Sequence, residues 1–365
     1  MRADKLNLQR IFEMTQRMEA PLFQRPYVWK QDPNWKPLWE AVESVAHKRL
    51  SAERVRPHFL GTIVLDQLET PTGKITARQI IDGQQRLTTL QIVLAAARDI
   101  SQNHDETRYA QAFRKFTDND VPLSDDEDDK FKVWPTNADR EDFRKVMRAG
   151  SSDSVRGLIP KGLRDNFLIP SAYLYFAQTI EAWLEPTQPD TFRRKIDALY
   201  NTIREDLHIV VIDLEETDDP QVIFETLNAL GTPLLPADLV KNYLFHLAQA
   251  QGHDIGKLYN QFWLPFDSGK GYWREEVRQG RLKRPRLDLY LNHYLTLMTG
   301  EEVSAAQMFS IFREFSRNRG ELSPADHMGL FRSYAEVYQT FDSLPMNTRE
   351  GMFLYRLRQL DTTTV

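Results

Sequence analysis

An α+β fold is predicted for this 365-residue chain, and three observations predict it. Short β-branched or aromatic runs bounded by turn residues recur as far as Leu214. Between them lie segments whose apolar residues return every three to four positions, the period of an amphipathic helix. Beyond Leu214 the strand signals stop and the pattern reads as helical throughout. An α+β module with a long helical insertion, followed by an all-α module, satisfies all three.

In chain order, Leu22–Trp29 reads as a short extended segment, confined to an edge or bulge by Pro21 and Pro26. Leu38, Val42 and Val45 stand at helical spacing in a segment running to Leu50. His58–Leu65 is a β-branched strand, and Gln79-Ile80-Ile81 is a second one that stops at Asp82-Gly83. Leu87, Leu90, Leu94 and Ala97 then set a helix to about Ile100. Residues 118–129 hold seven acids and no base, most simply a solvated loop. Phe131–Trp134 is a short strand, and a helix to Arg148 opens at Asn137 or Asp139. Two helices are expected at 171–184 and 191–205, and His208–Leu214 is the last strand. Pro236 sits in the favoured first turn of a helix carrying Leu239, Val240, Tyr243, Leu244 and Leu247. The resulting modules are 1–250, with an insertion at about 101–205, and 251–365.

Composition excludes several chemistries. With 41% apolar and 27% charged residues, including 20 Phe and 7 Trp, the chain can build large cores and is not a disordered polymer. It has no cysteine, which removes disulfides, Cys-type zinc sites, iron–sulfur clusters and thiol catalysis. No apolar run reaches the roughly 18 residues of a membrane span, and the N-terminus lacks a signal-peptide core. A cytoplasmic protein with no membrane partner is expected. Gly252, Gly256 and Lys257 imitate a phosphate loop, but the spacing is one residue short and Leu258 replaces the magnesium-binding Ser or Thr. The eight histidines are scattered. Asp128-x-Lys130 matches the end of a D…D/E-x-K nuclease pattern, without a strand to carry it.

The most informative stretch is Ile80–Leu90. A strand enters a glycine turn and a helix begins at once, aiming backbone N–H groups and the positive helix end at one point. Arg86 adds a planar fork of donors suited to phosphate. Gln84 and Gln85 offer neutral donors and acceptors, and Asp82 is the one carboxylate placed to hold a divalent metal or act as a base. The same residues also describe a helix cap with a polar surface. A second cluster, Gln24-Arg25-Pro26-Tyr27-Val28-Trp29, pairs Gln and Arg with aromatics, as a site that holds phosphate and stacks a base would. An aromatic edge strand packed on the core has the same composition.

Taken together, the two clusters resemble the N-terminal domain of GmrSD-type restriction proteins, whose hallmark is D-G-Q-Q-R. The hallmark is complete at Asp82–Arg86 and is followed by L-T-T-L at Leu87–Leu90. The family's Q-R-x-Y-x-W segment is matched by Gln24, Arg25, Tyr27 and Trp29, and its F-L-G by Phe59, Leu60 and Gly61. Pro135-Thr136 followed by Asp139-Arg140 and Phe143 also resembles it. A later segment is matched by Phe224, Leu227, Asn228, Gly231, Leu234, Asp238, Leu239, Lys241 and Asn242.

The resemblance implies a ParB/sulfiredoxin-like fold with a small mixed sheet, and nucleotide triphosphate binding and hydrolysis at D-G-Q-Q-R. It also implies a role in restricting phage DNA that carries modified bases or, in one branch, phosphorothioates. On that basis Asp82, Gln84, Gln85 and Arg86 are the expected catalytic residues, and Gln24, Arg25, Tyr27, Trp29 and Gly83 the nucleotide-binding ones. Arg86 and Arg25 would hold phosphates, Gln84 and Gln85 would orient substrate or water, and Asp82 would hold magnesium or activate the water. Tyr27 and Trp29 would face the base, and His58 is a minor candidate for the site. The family's His-Asn-His nuclease motif is absent. His293 follows Asn292 in an aromatic–aliphatic helical pattern and His327 is isolated, so the nuclease is expected in a separate domain or subunit.

Double-stranded, modified DNA is the expected partner, and self-association is left open. Between Lys270 and Asp288 seven bases stand against three acids, although the whole chain carries −5. Arg274, Arg278, Arg281, Lys283, Arg284 and Arg286 are therefore candidate phosphate contacts, with Tyr272 and Trp273 beside them. The competing functions are a nucleotide- or DNA-binding module without turnover, and a DNA nickase with an unrecognised site.

Overall fold

The computed structural model describes the chain except residues 71–74, 123, 161, 163–165, 186–188, 216–217, 219–222, 224–234, 268–270, 280–281 and 360–365. The fold is α+β, as predicted. The chain divides into two compact units, Met1–Phe224 and Glu225–Val365. The break falls before the helix Pro236–Ala250 and not at residue 250, because that helix packs on the helices that follow it.

The first unit is built on a six-stranded sheet. Its strands are β1 (Arg2–Asn7), β2 (Gln16–Glu19), β3 (His58–Gln67), β4 (Thr76–Asp82), β5 (Val133–Trp134) and β6 (Leu207–Asp213), in the spatial order β1-β6-β3-β4-β2-β5. β1 lies antiparallel to β6 and β3 antiparallel to β4, and the other neighbours are parallel. Ile63, Val64 and Leu65 of β3 and Ile80 and Ile81 of β4 are buried, as aliphatic residues at the centre of a sheet should be.

Among the helices described around this sheet, one organises the rest. Helix α1 (Leu8–Phe12) and α2 (Lys36–Leu50) precede α3 (Gln84–Asn103), which leaves β4 after a single residue. Every residue of α3 from Leu87 to Ser101 is buried, so it is the central core helix and not an amphipathic surface one. It packs against α4 (Thr107–Thr117) and α5 (Leu168–Leu184), and Ala95, Ala96 and Ala97 let the neighbouring backbones approach closely. Each large side chain it buries contributes about 1.5–3 kcal/mol.

Two expectations fail here. Residues 22–29 form no strand, because Pro21 and Pro26 remove ladder donors and the backbone is held instead by side chains of other elements. The strands β1 and β2 appear where no alternation was legible; β1 is an edge strand with no buried residue. The acidic segment 118–129 is also more than a solvated loop. Asp129 is 4% exposed and accepts from Arg17 Nη1 (2.8 Å) and Ser124 Oγ (2.5 Å).

The second unit is mainly helical around an aromatic core in which Trp263 stacks on Phe331 with ring centroids 5.6 Å apart. It is not all-α. A two-stranded antiparallel hairpin, β7 (Glu276–Gln279) and β8 (Leu282–Pro285), interrupts it, with Arg278 opposite Lys283 and Val277 opposite Arg284. No described helix is long and apolar enough to cross a membrane.

Candidate functional site

The D-G-Q-Q-R segment occupies the junction of β4 and α3. Asp82 is the last residue of the strand and Gly83 caps the helix at φ +94°. A side chain there would be strained, and a Cβ would also lie 2.6 Å from Ile63 Cγ2. Glycine therefore permits both the turn and the close approach of β3. Leu87 N–H makes the first helical bond back to the Gly83 carbonyl at 3.0 Å, so the N–H groups before it lack helical acceptors.

Three charged side chains share this junction. Burial pushes the Asp82 carboxyl above its ordinary range, opposed by the Gly83 N–H and by the charges of Arg86 and Arg25. Burial lowers the Arg86 guanidinium from its ordinary value, and Asp82 partly restores it. Arg86 Nη1 donates to the Thr62 carbonyl at 2.6 Å, which fixes the guanidinium against β3. The arrangement is a half-buried carboxylate flanked by two cations at a helix N-terminus, the combination an anionic ligand with a metal counter-ion would use.

The glutamines do something different from what was expected. Gln24 Nε2 donates to the carbonyls of Ile80 (2.9 Å) and Ile81 (3.1 Å). Gln84 Nε2 donates to the Arg25 carbonyl at 3.2 Å. Gln85 Nε2 donates to the Pro26 carbonyl at 3.1 Å while its Oε1 accepts from the Val28 N–H at 2.8 Å. The three amides thus splice the 24–28 loop onto the strand–helix junction: Gln24 reaches the end of β4, while Gln84 and Gln85 satisfy loop backbone groups that form no ladder. Gln85 and Gln24, at 8% and 5% exposure, are braces and do not face a substrate.

Tyr27 is likewise internal. Its hydroxyl lies 2.6 Å from Thr89 Oγ1 and accepts from Trp35 Nε1 at 3.0 Å, so it cannot face a nucleotide base. Its own N–H donates to Asp139 Oδ2 at 2.8 Å. Burial pushes the Asp139 carboxyl up to about 6, although Thr136 Oγ1 also donates to it. Trp29 is half-buried against the core. His58 opens β3 opposite Leu207, four residues before Thr62. The sequence reading missed Asp139, Thr89, Trp35 and Thr62 as members of this network. The signal that could have found Asp139 was its Thr136-x-x-Asp139 spacing within a segment that already resembled the family.

The remaining candidates separate cleanly. Asp128 accepts from Arg144 Nε (3.0 Å) and Nη2 (2.7 Å), and Lys130 Nζ sits over the Phe131 ring, so both residues of the D-x-K pattern are engaged in structural contacts. Among the described residues no three His, Asp or Glu side chains come together as a metal site. In the second unit Arg274 is corrected from a DNA contact to a core residue. It pairs with Asp267 and, at 3.0 Å, with Asp238, beside the fully buried pair of Lys241 and Asp267. Arg286 pairs with Glu275 and Asp342 and lies 4.0 Å from the centre of the Tyr272 ring. Arg278 and Lys283 are exposed on facing strands, and Arg284 is half-buried beside them. Arg281 lies outside the described residues, as do Phe224, Leu227, Asn228, Gly231 and Leu234.

No curated protein matches the chain at a significant level. A family described as GmrSD restriction endonuclease, N-terminal domain, matches residues 8–245, a span that includes the 24–29 loop, the Asp82–Arg86 junction and most of the helix Pro236–Ala250. The chain therefore belongs to the GmrSD restriction endonuclease N-terminal domain family and is a component of a restriction-type phage-defence system.

Proposed function

We propose that the Asp82–Arg86 junction binds and hydrolyses a nucleoside triphosphate, and that this turnover couples recognition of modified double-stranded DNA to a nuclease domain or subunit. The observation that carries the reading is the joint placement of Asp82, Arg86 and Arg25 at the N-terminus of a 20-residue core helix. Arg86 and Arg25 supply the charge that a transferring phosphoryl group requires, and the helix N-terminus adds backbone donors. Asp82, with its carboxyl raised by burial, is suited to take a proton from water or to touch a magnesium ion.

A lone carboxylate fits magnesium held mostly by phosphate oxygens and water better than a cage built by protein alone. Magnesium would neutralise charge between the terminal phosphates, and Asp82 is the residue that would hold it. The hairpin cations Arg278, Lys283 and Arg284 are the DNA-phosphate contacts in this reading, and the protein acts in the cytoplasm, where phage DNA enters.

A second reading, a nucleotide-binding module without turnover, is favoured by one observation: Gln84 and Gln85, the groups expected to orient water, donate to the backbone of the 24–28 loop. Phosphate release from each nucleotide with magnesium, with and without modified DNA, separates the two. Turnover that falls about tenfold or more in Asp82→Asn and Arg86→Ala is the expected result. Unchanged turnover in both variants rejects these assignments, and tight binding with no turnover establishes the second reading.

A further inference from the structure

We infer that Gly61 is a positioning residue for Arg86: a bulge in β3 forms a seat, made of backbone alone, in which the guanidinium lies. The inference rests on the nucleotide reading of the junction. His58 pairs with Leu207 and Phe59 with His208, but pairing resumes at Thr62 with Val210, so β3 carries one extra residue at Leu60–Gly61. Such bulges bend a strand and re-aim what lies beside it.

At the bulge Gly61 adopts φ +99°, the left-handed region. A Cβ built there would lie 2.8 Å from Arg86 Nη2, 2.9 Å from Cζ and 3.3 Å from Nε. The guanidinium therefore rests on the open face of Gly61, and the next carbonyl, that of Thr62, accepts from Nη1 at 2.6 Å. Both halves of the seat come from two consecutive backbone units. Arg86 is thereby oriented before any ligand arrives, which spares the bound state the cost of ordering a long side chain.

The two positive-φ glycines near the site differ in what they protect. At Gly83 an added Cβ meets Ile63, including its backbone Cα at 3.2 Å, so that glycine serves the fold. At Gly61 the three nearest atoms all belong to the mobile end of Arg86. A methyl there meets the arginine in addition to straining the backbone at φ +99°, and that strain is common to the Arg86 and Arg86→Lys backgrounds. Gly61 thus reaches a bound phosphate only through Arg86.

The test combines Gly61→Ala with Arg86→Lys, whose flexible ammonium does not require the seat. Affinity for each nucleoside triphosphate with magnesium is measured by calorimetry, and Tm is measured for all four proteins. Gly61→Ala should weaken binding about tenfold, the scale of a lost charge-assisted contact, and weaken it no further in the Arg86→Lys background. The Tm loss from Gly61→Ala should likewise be larger with Arg86 present than with Lys there. Unchanged affinity in Gly61→Ala, or losses that multiply in the double variant, overturns the inference. Gly61→Asn, which tolerates positive φ and carries the same Cβ, replaces Ala where Ala prevents folding. If the unaltered protein binds no nucleotide, the nucleotide reading fails, and the Tm comparison still decides the seat: additive losses overturn it.

Discussion

Replacing Gln85 by Ala tests whether the second glutamine of D-G-Q-Q-R is a brace or a reacting group. The side chain satisfies two loop groups, the Pro26 carbonyl at 3.1 Å and the Val28 N–H at 2.8 Å, from an 8% exposed position. Truncation leaves both without their partner, at about 1–3 kcal/mol for each buried group. Some of that is recovered where water reaches Val28, which is 41% exposed. A net loss of about 2–4 kcal/mol is expected, and for a unit of this size each kcal/mol lowers Tm by about 2–4 °C. Scanning calorimetry should therefore show the transition of the first unit falling by about 5–15 °C. Gln85→Glu should not rescue it, because a carboxylate still accepts from Val28 but cannot donate to Pro26 and is costly to bury. Gln85→Ala with an unchanged transition and abolished nucleotide turnover would refute the bracing role and return Gln85 to direct catalysis.

Two further perturbations address the second unit. Asp288 is 2% exposed and accepts from the Ala237 N–H at 3.0 Å, and burial pushes its carboxyl up to about 6. Because the folded value exceeds the unfolded one, the folded state binds the proton more tightly, and stability falls as pH rises from about 4 to about 6, by up to about 3 kcal/mol. Asp288→Asn keeps the acceptor and should raise Tm at pH 7.5 more than at pH 4.5; an equal shift at both would dispose of the assignment. Arg274→Ala removes the shared partner of Asp238 and Asp267 and should cost about 3–5 kcal/mol, as expected for a buried charge left uncompensated. Urea unfolding checks this, and a DNA affinity that drops without loss of stability would restore Arg274 to the nucleic-acid surface.

The contrast between these residues explains how far the sequence could be read. Local signals were sufficient wherever the determining forces act between near neighbours. The run Gln79–Ile81, the glycine after Asp82 and the 3.6-residue period from Leu87 are local, and they place β4, the turn and α3 correctly. The same holds for the helices expected at 171–184 and 191–205, found at Leu168–Leu184 and Pro189–Asn201. Edge strands such as β1 carry little alternation because neither face is buried, so their existence depends on the partner strand β6.

Side-chain roles were less legible, because a polar side chain's function depends on what faces it. Gln24, Gln85 and Tyr27 had the composition of a binding site, yet partners distant in sequence, among them Ile80 for Gln24, Val28 for Gln85 and Thr89 for Tyr27, turn them inward. Arg274 counted as surface charge until Asp238, 36 residues earlier, met it in the core. The sequence by itself determined the α+β class, the strand–glycine–helix junction and the family. Only the tertiary structure decided which of the junction's polar groups tie the 24–28 loop to the helix and that Asp82, Arg25 and Arg86 gather as charges at its start. The reason is physical: backbone groups excluded from a ladder by proline must find partners somewhere, and packing alone determines which side chains reach them.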